Sequence, residues 1–371
     1  MKIGIDARIL TLPEIRGMAS YLLFILKNWP AATDTFFLYT EEDPKPDRVD
    51  CPSAICWKKI DCPPGNRIHI WDWFALPRAL RSEGLDLFWS PANLVFPIRT
   101  TQIVTIHDTL LQEKVRFPRR FDSFYYRSLI PYLARRYVRH VITVSRFSAE
   151  RIHQVLKVPE NKIEVIYNGT SFPDKGRAVE NKPSNTCLDA IQRYKRFIYT
   201  LGAESPWKNT RGVIAGFKLL HDIYPELGLI VSGLQDRARE EMAQYCEKEN
   251  IQNVELLGYV TDNDRNTLYS RAEIFVYPSL FEGFGLPALE AMAFGTPVVA
   301  SRAASIPEVT GNAAILVNAA SPQEIADGII RLLADEALRE ACRCAAYDNL
   351  RRFDWAVSAG LHRDLFLKIL H

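Results

Sequence analysis

The chain has 371 residues, 47% hydrophobic and 24% charged, which is the composition of an ordinary globular protein, and its length favours two domains. A formal net charge of +2 gives no overall drive toward nucleic acid, and no apolar run is long enough to predict a transmembrane helix. Seven scattered cysteines, and a start that is typical of a strand rather than of a signal peptide, predict a reduced, cytoplasmic protein.

The first half of the chain alternates short apolar runs with helical patterns. The predicted strands are residues 2–6, 35–39, 86–89, 102–106, 141–144 and 163–167, and the clearest helical patterns are 17–28, 121–139 and 146–156. Such alternation predicts a parallel sheet covered by helices, and ligands of these sheets bind beyond the carboxyl ends of the strands.

One stretch of this half, residues 114–140, is rich in arginine and aromatic residues, and Asp122 is its only acid. A basic, aromatic and partly amphipathic helix suits an anionic membrane surface. A solvated helix face whose aromatic residues lie in the core gives the same pattern, so both interpretations stay open.

The composition changes near residues 170–186, where Pro173, Gly176, Pro183 and several charges predict a linker. The alternation then resumes, with strands at 196–201, 227–232, 254–257, 274–277, 298–300 and 314–317. The sequence therefore predicts an α/β protein with a Rossmann-like domain at 1–172, a linker at 173–192, a second Rossmann-like domain at 193–353 and a C-terminal helix at 354–371.

The stretch FEGFGLPALEAMA, residues 281–293, follows the predicted strand 274–277 and begins a helix near Leu286. Pro287 suits the first turn, and Gly283 and Gly285 let the backbone approach a ligand closely. A helix start presents free N–H groups and the positive end of the helix dipole, so it is a ready site for a phosphate group.

Two acids flank this helix start, Glu282 before it and Glu290 one turn inside it. A carboxylate beside a phosphate site suits sugar or ribose hydroxyl groups rather than the phosphate itself. Phosphate and polyhydroxyl recognition together predict a nucleotide sugar as the ligand.

Glu282, seven intervening residues and Glu290, within EGFGLPALEAMA, resemble the signature of the family 4 retaining glycosyltransferases. These enzymes have the GT-B fold, in which two Rossmann-like domains face a central cleft and the last helix crosses back to the first domain. The resemblance implies that Glu282 contacts the donor sugar and Glu290 the ribose, and that the backbone of Gly283, Phe284, Gly285 and Leu286 binds the diphosphate. It also implies that no cofactor and no metal ion are needed.

The resemblance extends to two earlier loops. Gly17 matches a glycine-rich loop that approaches the donor phosphate, and Gly202 and Lys208 match a loop that holds the diphosphate. Ala203 and Trp207 stand where basic residues are common in the family. Lys208 is therefore expected to be the only side-chain cation on this edge, and a lysine suffices as a point charge against phosphate.

Further positions complete the predicted site. His107 matches a histidine that lies near the donor sugar and assists transfer, so the predicted catalytic residues are Glu282, His107 and Lys208. Tyr259 and Val260 match a segment that lines the nucleotide base, and Arg146 is a candidate contact for the acceptor or a phosphate.

Asp262-Asn263-Asp264 looks like the DxD metal motif of other glycosyltransferases. It precedes a helical run, so its acids are predicted to be N-cap and first-turn residues, and no metal ligand is assigned.

Two segments, Ile3-Gly4-Ile5-Asp6-Ala7-Arg8 at the start of the chain and Thr105-Ile106-His107-Asp108, resemble bacterial mannosyltransferases of O-antigen and exopolysaccharide assembly. The prediction is a retaining transferase that moves mannose from GDP-mannose to a saccharide acceptor, lipid-linked and at the inner face of the cytoplasmic membrane. Alternatives are a transferase that uses a UDP-sugar, a synthase with a soluble acceptor, and a non-catalytic protein of two domains that binds sugars or nucleotides.

Overall fold

The computed structural model describes residues 1–12, 17–61, 71–81, 83–115, 117, 120–170, 183–203 and 205–371. The chain forms two compact units, Met1–Gly169 with Phe353–His371, and Thr170–Arg352. Each unit is built around one parallel sheet, as the alternation of strands and helices predicts.

The first unit has a seven-stranded sheet in the order β3-β2-β1-β4-β5-β6-β7, and every pairing is parallel. Its central strands are buried, which is why they are short apolar runs without alternation. The strands are β1 (Lys2–Asp6), β2 (Thr35–Thr40), β3 (Ala54–Lys59), β4 (Leu87–Ser90), β5 (Gln102–Thr105), β6 (Val138–Thr143) and β7 (Ile163–Val165).

The helices of this unit are short apart from the first and the last. π-helical turns adjoin four of them: Trp71–Ala75 precedes one, Tyr125–Leu129 joins two, and Ile152–Leu156 follows the fourth. The α-helices are α1 (Met18–Lys27), α2 (Leu76–Leu80), α3 (Leu110–Glu113), α4 (Arg120–Phe124), α5 (Ile130–Tyr137) and α6 (Arg146–Arg151).

The last helix of the chain, Trp355–Leu370, also belongs to the first unit and packs against α1. Trp355 stacks on Phe24 with ring centroids 5.0 Å apart, and the Arg363 guanidinium lies 3.0 Å from the Asp34 carboxylate. A Cβ atom at Gly169 would lie 2.3 Å from the Trp355 backbone nitrogen. The C-terminal helix thus returns to the first unit, as predicted.

The second unit has a six-stranded parallel sheet in the order β10-β9-β8-β11-β12-β13. The strands are β8 (Arg196–Leu201), β9 (Leu227–Ser232), β10 (Val254–Leu256), β11 (Ile274–Tyr277), β12 (Val298–Ser301) and β13 (Ala314–Val317). The helices are α7 (Asn185–Arg193), α8 (Thr210–Lys218), α9 (Asp236–Lys248), α10 (Asp262–Arg271), α11 (Leu286–Ala293), α12 (Ile306–Thr310), α13 (Pro322–Ala334) and α14 (Glu336–Leu350); the last helix of the chain is then α15.

The structure differs from the sequence prediction in the linker, residues 173–192. Part of this range lies outside the described residues, but its C-terminal part forms α7. Ser184 caps α7, because its hydroxyl oxygen accepts a hydrogen bond of 3.2 Å from the Cys187 N–H. The Pro-Ser-Asn run that suggests a linker is therefore a helix start.

Three further differences are local. The sequence prediction missed β3, a half-exposed edge strand that ends in two lysines. The helix predicted to reach residue 139 ends at Tyr137, because β6 already begins at Val138. The N-cap of α10 is Thr261 rather than Asp262, and Asp264 completes a capping box with it.

Candidate functional site

The loop between β11 and α11 forms the predicted helix start. Gly285 is the N-cap residue at φ 108° and ψ 41°, and a Cβ atom there would lie 2.7 Å from Ile306 Cδ1. The backbone conformation favours glycine, and a side chain here would also require Ile306 to shift. The N-cap glycine supplies no side-chain cap to α11, and in the first turn Pro287 has no N–H and the Ala288 N–H donates to the Gly285 carbonyl oxygen at 3.1 Å. The start of α11 therefore offers a ligand chiefly the positive end of the helix dipole.

Ser305 holds this loop in place from the neighbouring connection after β12. Its buried hydroxyl lies 2.9 Å from the Glu282 carbonyl oxygen and 2.8 Å from the Phe284 carbonyl oxygen. Both carbonyl groups are thereby turned toward Ser305, which fixes the conformation of the loop that leads into α11. Ser305 was not found from the sequence, where it is an ordinary loop serine.

Lys208 lies beside the same loop, at the end of the 3₁₀ turn Pro206–Lys208. The Leu280 N–H donates to the Trp207 carbonyl oxygen at 2.7 Å and so ties the two loops together. The Lys208 ammonium donates to Glu282 Oε1 at 2.7 Å and to the Tyr277 hydroxyl oxygen at 2.9 Å. Two predicted catalytic residues, Lys208 and Glu282, are therefore in direct contact.

The charge on Lys208 is set by two opposing effects. Burial disfavours the ammonium, but the contacts with Tyr277 and Glu282 outweigh this and raise the pKa of Lys208 above its usual value. The side chain therefore stays cationic at neutral pH, as an anion site requires.

Glu290 projects from α11 toward α10. It accepts a hydrogen bond of 3.0 Å from the Tyr269 hydroxyl, and Arg265 Nε lies 3.6 Å from the same carboxylate oxygen, Oε2. Burial raises the pKa of Tyr269 well above its usual value, so this hydroxyl remains a donor. The carboxylate is held in one orientation and is still partly exposed.

A pocket of about 280 Å³ lies next to the loop after β10, a little below the range of about 300–1,000 Å³ that is typical of small-molecule sites. The predicted base-binding residues Tyr259 and Val260 line it. Its other walls include Ser184, Leu257, Gly258 and Thr261. Thr186, Cys187 and Asp264 complete the lining, which therefore mixes apolar and polar residues.

His107 follows β5 in the first unit and is fixed by two contacts. Its backbone N–H donates to Asn93 Oδ1 at 2.6 Å, and Nε2 donates to the Pro91 carbonyl oxygen at 2.9 Å. Because a carbonyl group only accepts, the proton is on Nε2 and Nδ1 is an acceptor. Burial lowers the pKa of His107 to about 4, so the ring is neutral at physiological pH and can accept a hydrogen bond from a hydroxyl group.

The His107 ring packs against Tyr21, which buried hydrogen bonds fix in place. The Tyr21 ring meets it edge-on at 4.7 Å, and the Tyr21 hydroxyl lies 2.5 Å from His362 Nε2 on α15. His362 Nδ1 donates to the Ser358 carbonyl oxygen at 2.7 Å, so Nε2 accepts from Tyr21. The C-terminal helix therefore fixes the tyrosine that backs His107.

The remaining predicted residues lie on separate elements of the first unit. Gly17, at φ 51°, precedes α1. Arg146 is exposed at the start of α6, where Ser145 is the N-cap. Asp108 accepts from the Leu110 N–H at 2.9 Å and orients the turn after His107.

Asp262 and Asp264 have structural partners in the second unit. Asp264 belongs to the capping box of α10, and Asp262 lies 3.0 Å from Arg265. Within the residues that the structure describes, no group of three His, Cys, Asp or Glu side chains is arranged to hold a metal ion.

The basic and aromatic stretch of the first unit is divided between core and surface. Tyr125 is buried in the core, whereas Phe121, Phe124 and Tyr132 are 53%, 55% and 52% exposed. Residues 116, 118 and 119 lie outside the described part of the chain. The exposed basic residues on the same helical segment are Arg120, Arg127, Arg135 and Arg136, followed by Arg139 on β6.

A basic face with exposed aromatic rings is thus present. In the described ranges, no helix has the length and the apolar content needed to cross a membrane.

Two family models match the chain. The model for Glycosyl transferases group 1 matches residues 189–349, and the model for Glycosyltransferase Family 4 matches residues 15–171.

Similar curated proteins include O-antigen chain mannosyltransferase B of Escherichia coli, 32% identical over 58% of this chain and 57% of that protein. O-antigen chain mannosyltransferase RfbU of Salmonella typhimurium is 33% identical over 66% of this chain and 64% of that protein. The chain therefore aligns with less than two thirds of the length of either relative.

Among solved structures, Anabaena Alr3699/HepE in complex with UDP and glucose superposes with a TM-score of 0.73 at 19% identity, over 98% of both chains. WaaG, a glycosyltransferase involved in lipopolysaccharide biosynthesis, superposes with a TM-score of 0.74 at 14% identity, over 99% of both chains.

Proposed function

The chain belongs to the glycosyltransferases that these two family models describe, and we propose that it is a retaining hexosyltransferase that transfers mannose from GDP-mannose to a saccharide acceptor in O-antigen synthesis. The likeness to solved structures over the whole chain shows the GT-B fold. The printed activities of the two O-antigen relatives support mannose as the sugar. The observation that carries the proposal is the Lys208–Glu282 pair beside the uncapped start of α11.

In the proposed complex the diphosphate occupies the start of α11. As the bond to the sugar breaks, negative charge develops on the leaving diphosphate, and the backbone N–H groups together with Lys208 stabilise it. Because these groups already have their positions, little reorganisation is needed during the reaction. The helix start and Lys208 supply the positive charge, so the proposal requires no metal ion and no cofactor.

The hydroxyl groups of the donor are assigned to the remaining polar residues. Glu282 orients the sugar, Glu290 holds the ribose, and the pocket lined by Tyr259 and Val260 takes the base. His107 assists transfer as a neutral acceptor for a hydroxyl group. No side chain is assigned as a covalent nucleophile, so the acceptor attacks from the face that the diphosphate leaves.

A donor panel tests the proposal. Purified protein is incubated with GDP-mannose, UDP-glucose and UDP-N-acetylglucosamine, each with a membrane lipid extract, and released nucleoside diphosphate and glycosylated product are measured. We expect product with GDP-mannose, in which the anomeric configuration of the donor is retained. Product from a UDP-sugar alone would rule out GDP-mannose as the donor but would still support a glycosyl transfer reaction. Nucleotide binding without product from any donor would favour a non-catalytic binding protein.

The proposal also includes a lipid-linked acceptor and association with an anionic membrane surface. The supporting observation is the exposed face with Phe121, Phe124, Tyr132 and several arginines, which combines apolar anchors with positive charge. Aromatic rings insert at the headgroup level, and each arginine near an anionic surface contributes about 1 kcal/mol.

A flotation assay tests this surface. We expect the protein to float with vesicles containing phosphatidylglycerol, and the Phe121→Ser/Phe124→Ser variant to lose most of this binding because its apolar anchors are gone. Val357→Ser/Leu361→Ser, which removes exposed apolar side chains from α15, is the matched control and should float normally. Equal flotation of both variants, or flotation that is insensitive to salt, would contradict the assignment.

A further inference from the structure

We propose that Tyr277 is a further residue of the donor site and that its hydroxyl group positions Lys208 and Glu282 for transfer. The inference rests on the proposed function, because it assigns a role at the same site.

Tyr277 is the last residue of β11, where the buried strand meets the loop that carries Glu282. Its side chain is buried, and its ring lies 3.8 Å from the Cβ position of Gly285, directly against the start of α11. The Lys208 ammonium lies 5.1 Å from the centre of the same ring. One side chain therefore contacts the start of α11 and the ammonium that is paired with Glu282.

The hydrogen bonds at this point can be assigned from the chemistry of the three groups. Lys208 only donates, so the Tyr277 oxygen accepts from it, and the same ammonium donates to the Glu282 carboxylate. Burial raises the pKa of Tyr277, which keeps the proton on its phenol. The Lys208 ammonium thus bridges Tyr277 and Glu282.

These two hydrogen bonds leave capacity for a ligand on both Lys208 and Glu282. An ammonium has three N–H donors, of which Glu282 and Tyr277 use two, so one remains for a phosphate oxygen. The Glu282 carboxylate likewise keeps acceptor positions for sugar hydroxyl groups. A lysine side chain has four rotatable bonds and loses conformational entropy when it is fixed. Because the Tyr277 phenol already holds Lys208, this entropy is lost before the donor binds.

The sequence around Lys208 explains why a residue that positions this lysine is needed. Ala203 and Trp207 occupy positions that could carry a second cation, so Lys208 is the basic side chain that this stretch of sequence offers to the leaving diphosphate, beside the helix start. A displacement of Lys208 by a fraction of an ångström would weaken its contact with the transition state more than its contact with the ground state.

Tyr277→Phe tests the inference, because it removes only the hydroxyl and keeps the buried ring. We expect kcat to fall about tenfold or more, with KM for the donor changed by less than about threefold, since a hydrogen bond to a charged group is lost mainly where charge develops. Affinity for the nucleoside diphosphate, measured by calorimetry, should change little. Tyr199→Phe is the matched control, because Tyr199 is also buried in the same sheet and its hydroxyl bonds Ser232 at 2.7 Å.

A double-mutant cycle separates positioning from general destabilisation. If Tyr277 acts through Lys208, adding Tyr277→Phe to Lys208→Met should cause no further loss of kcat. Multiplicative losses in the double variant, unchanged kcat in Tyr277→Phe, or an equal loss in Tyr199→Phe would each overturn the role. Wild-type protein that neither binds a nucleoside diphosphate nor transfers sugar would instead refute the proposed function, so the two failures are distinguishable.

Discussion

Replacing Lys208 by methionine is expected to lower kcat by about 10²- to 10³-fold, the range found when one preorganised donor to a developing anion is removed. The physical reason is that Lys208 is the cation beside the start of α11, held there by Glu282 and Tyr277. Methionine keeps the length of the apolar stem and removes the charge. The measurement is steady-state release of nucleoside diphosphate with a saturating acceptor.

The control for this variant is Lys218→Met in the same unit. Lys218 pairs with Glu249 at 3.1 Å on an exposed part of the surface, so its replacement removes a lysine charge without touching the site. It should keep its kcat, since exposed ion pairs contribute little. Equal activity of Lys208→Met and wild type would show that the leaving diphosphate is stabilised elsewhere.

Replacing Glu282 by glutamine is expected to lower kcat/KM by about 10²-fold or more. The change keeps the shape of the side chain but replaces one carboxylate oxygen by an N–H donor and removes the charge opposite Lys208. The change weakens the proposed contact with sugar hydroxyl groups and disturbs the orientation of Lys208. Removal of one partner from a poorly exposed ion pair is also destabilising, because the other charge is left without its partner. Initial rates over a range of donor concentrations give the separate effects on kcat and KM.

Glu273→Gln provides the comparison. Glu273 is also a partly buried glutamate that pairs with an arginine, Arg196, at 2.5 Å, but it precedes β11 and so lies at the opposite end of that strand from Glu282. We expect it to reduce thermal stability slightly and to leave the rate unchanged. A Glu282→Gln protein that is fully active would rule out the sugar-orienting role.

Much of the fold follows from local sequence. The bounds of β8, β9, β11 and β13 agree with the predicted ones, because each is an apolar run followed by glycine, proline or asparagine. The start of α11 at Leu286 is likewise local, since Gly285, Leu286 and Pro287 fix it through backbone conformation alone. Helix and strand patterns of buried α/β sheets are strong signals over short windows.

The prediction failed where local signals have two meanings. Ser184 and Asn185 have the composition of a linker, but they begin α7. β3 has a weak strand pattern of its own, but it pairs with β2. In both cases the decisive contribution comes from a distant segment. Pairing and packing energies of that kind cannot be predicted from a short window of sequence.

The sequence by itself determined the family signature, the two parallel sheets and the individual chemical groups of the site, because these depend on residue type and spacing. Only the tertiary structure decided that Lys208 and Glu282 meet, that Tyr277 joins them, and that Ser305 holds the loop from the next connection. These residues come together because β8, β11 and β12 are neighbours in the sheet, and the loops at their carboxyl ends therefore meet. A tyrosine at the end of a buried strand is apolar in a hydropathy pattern, and the role of its hydroxyl depends on partners that only the fold provides.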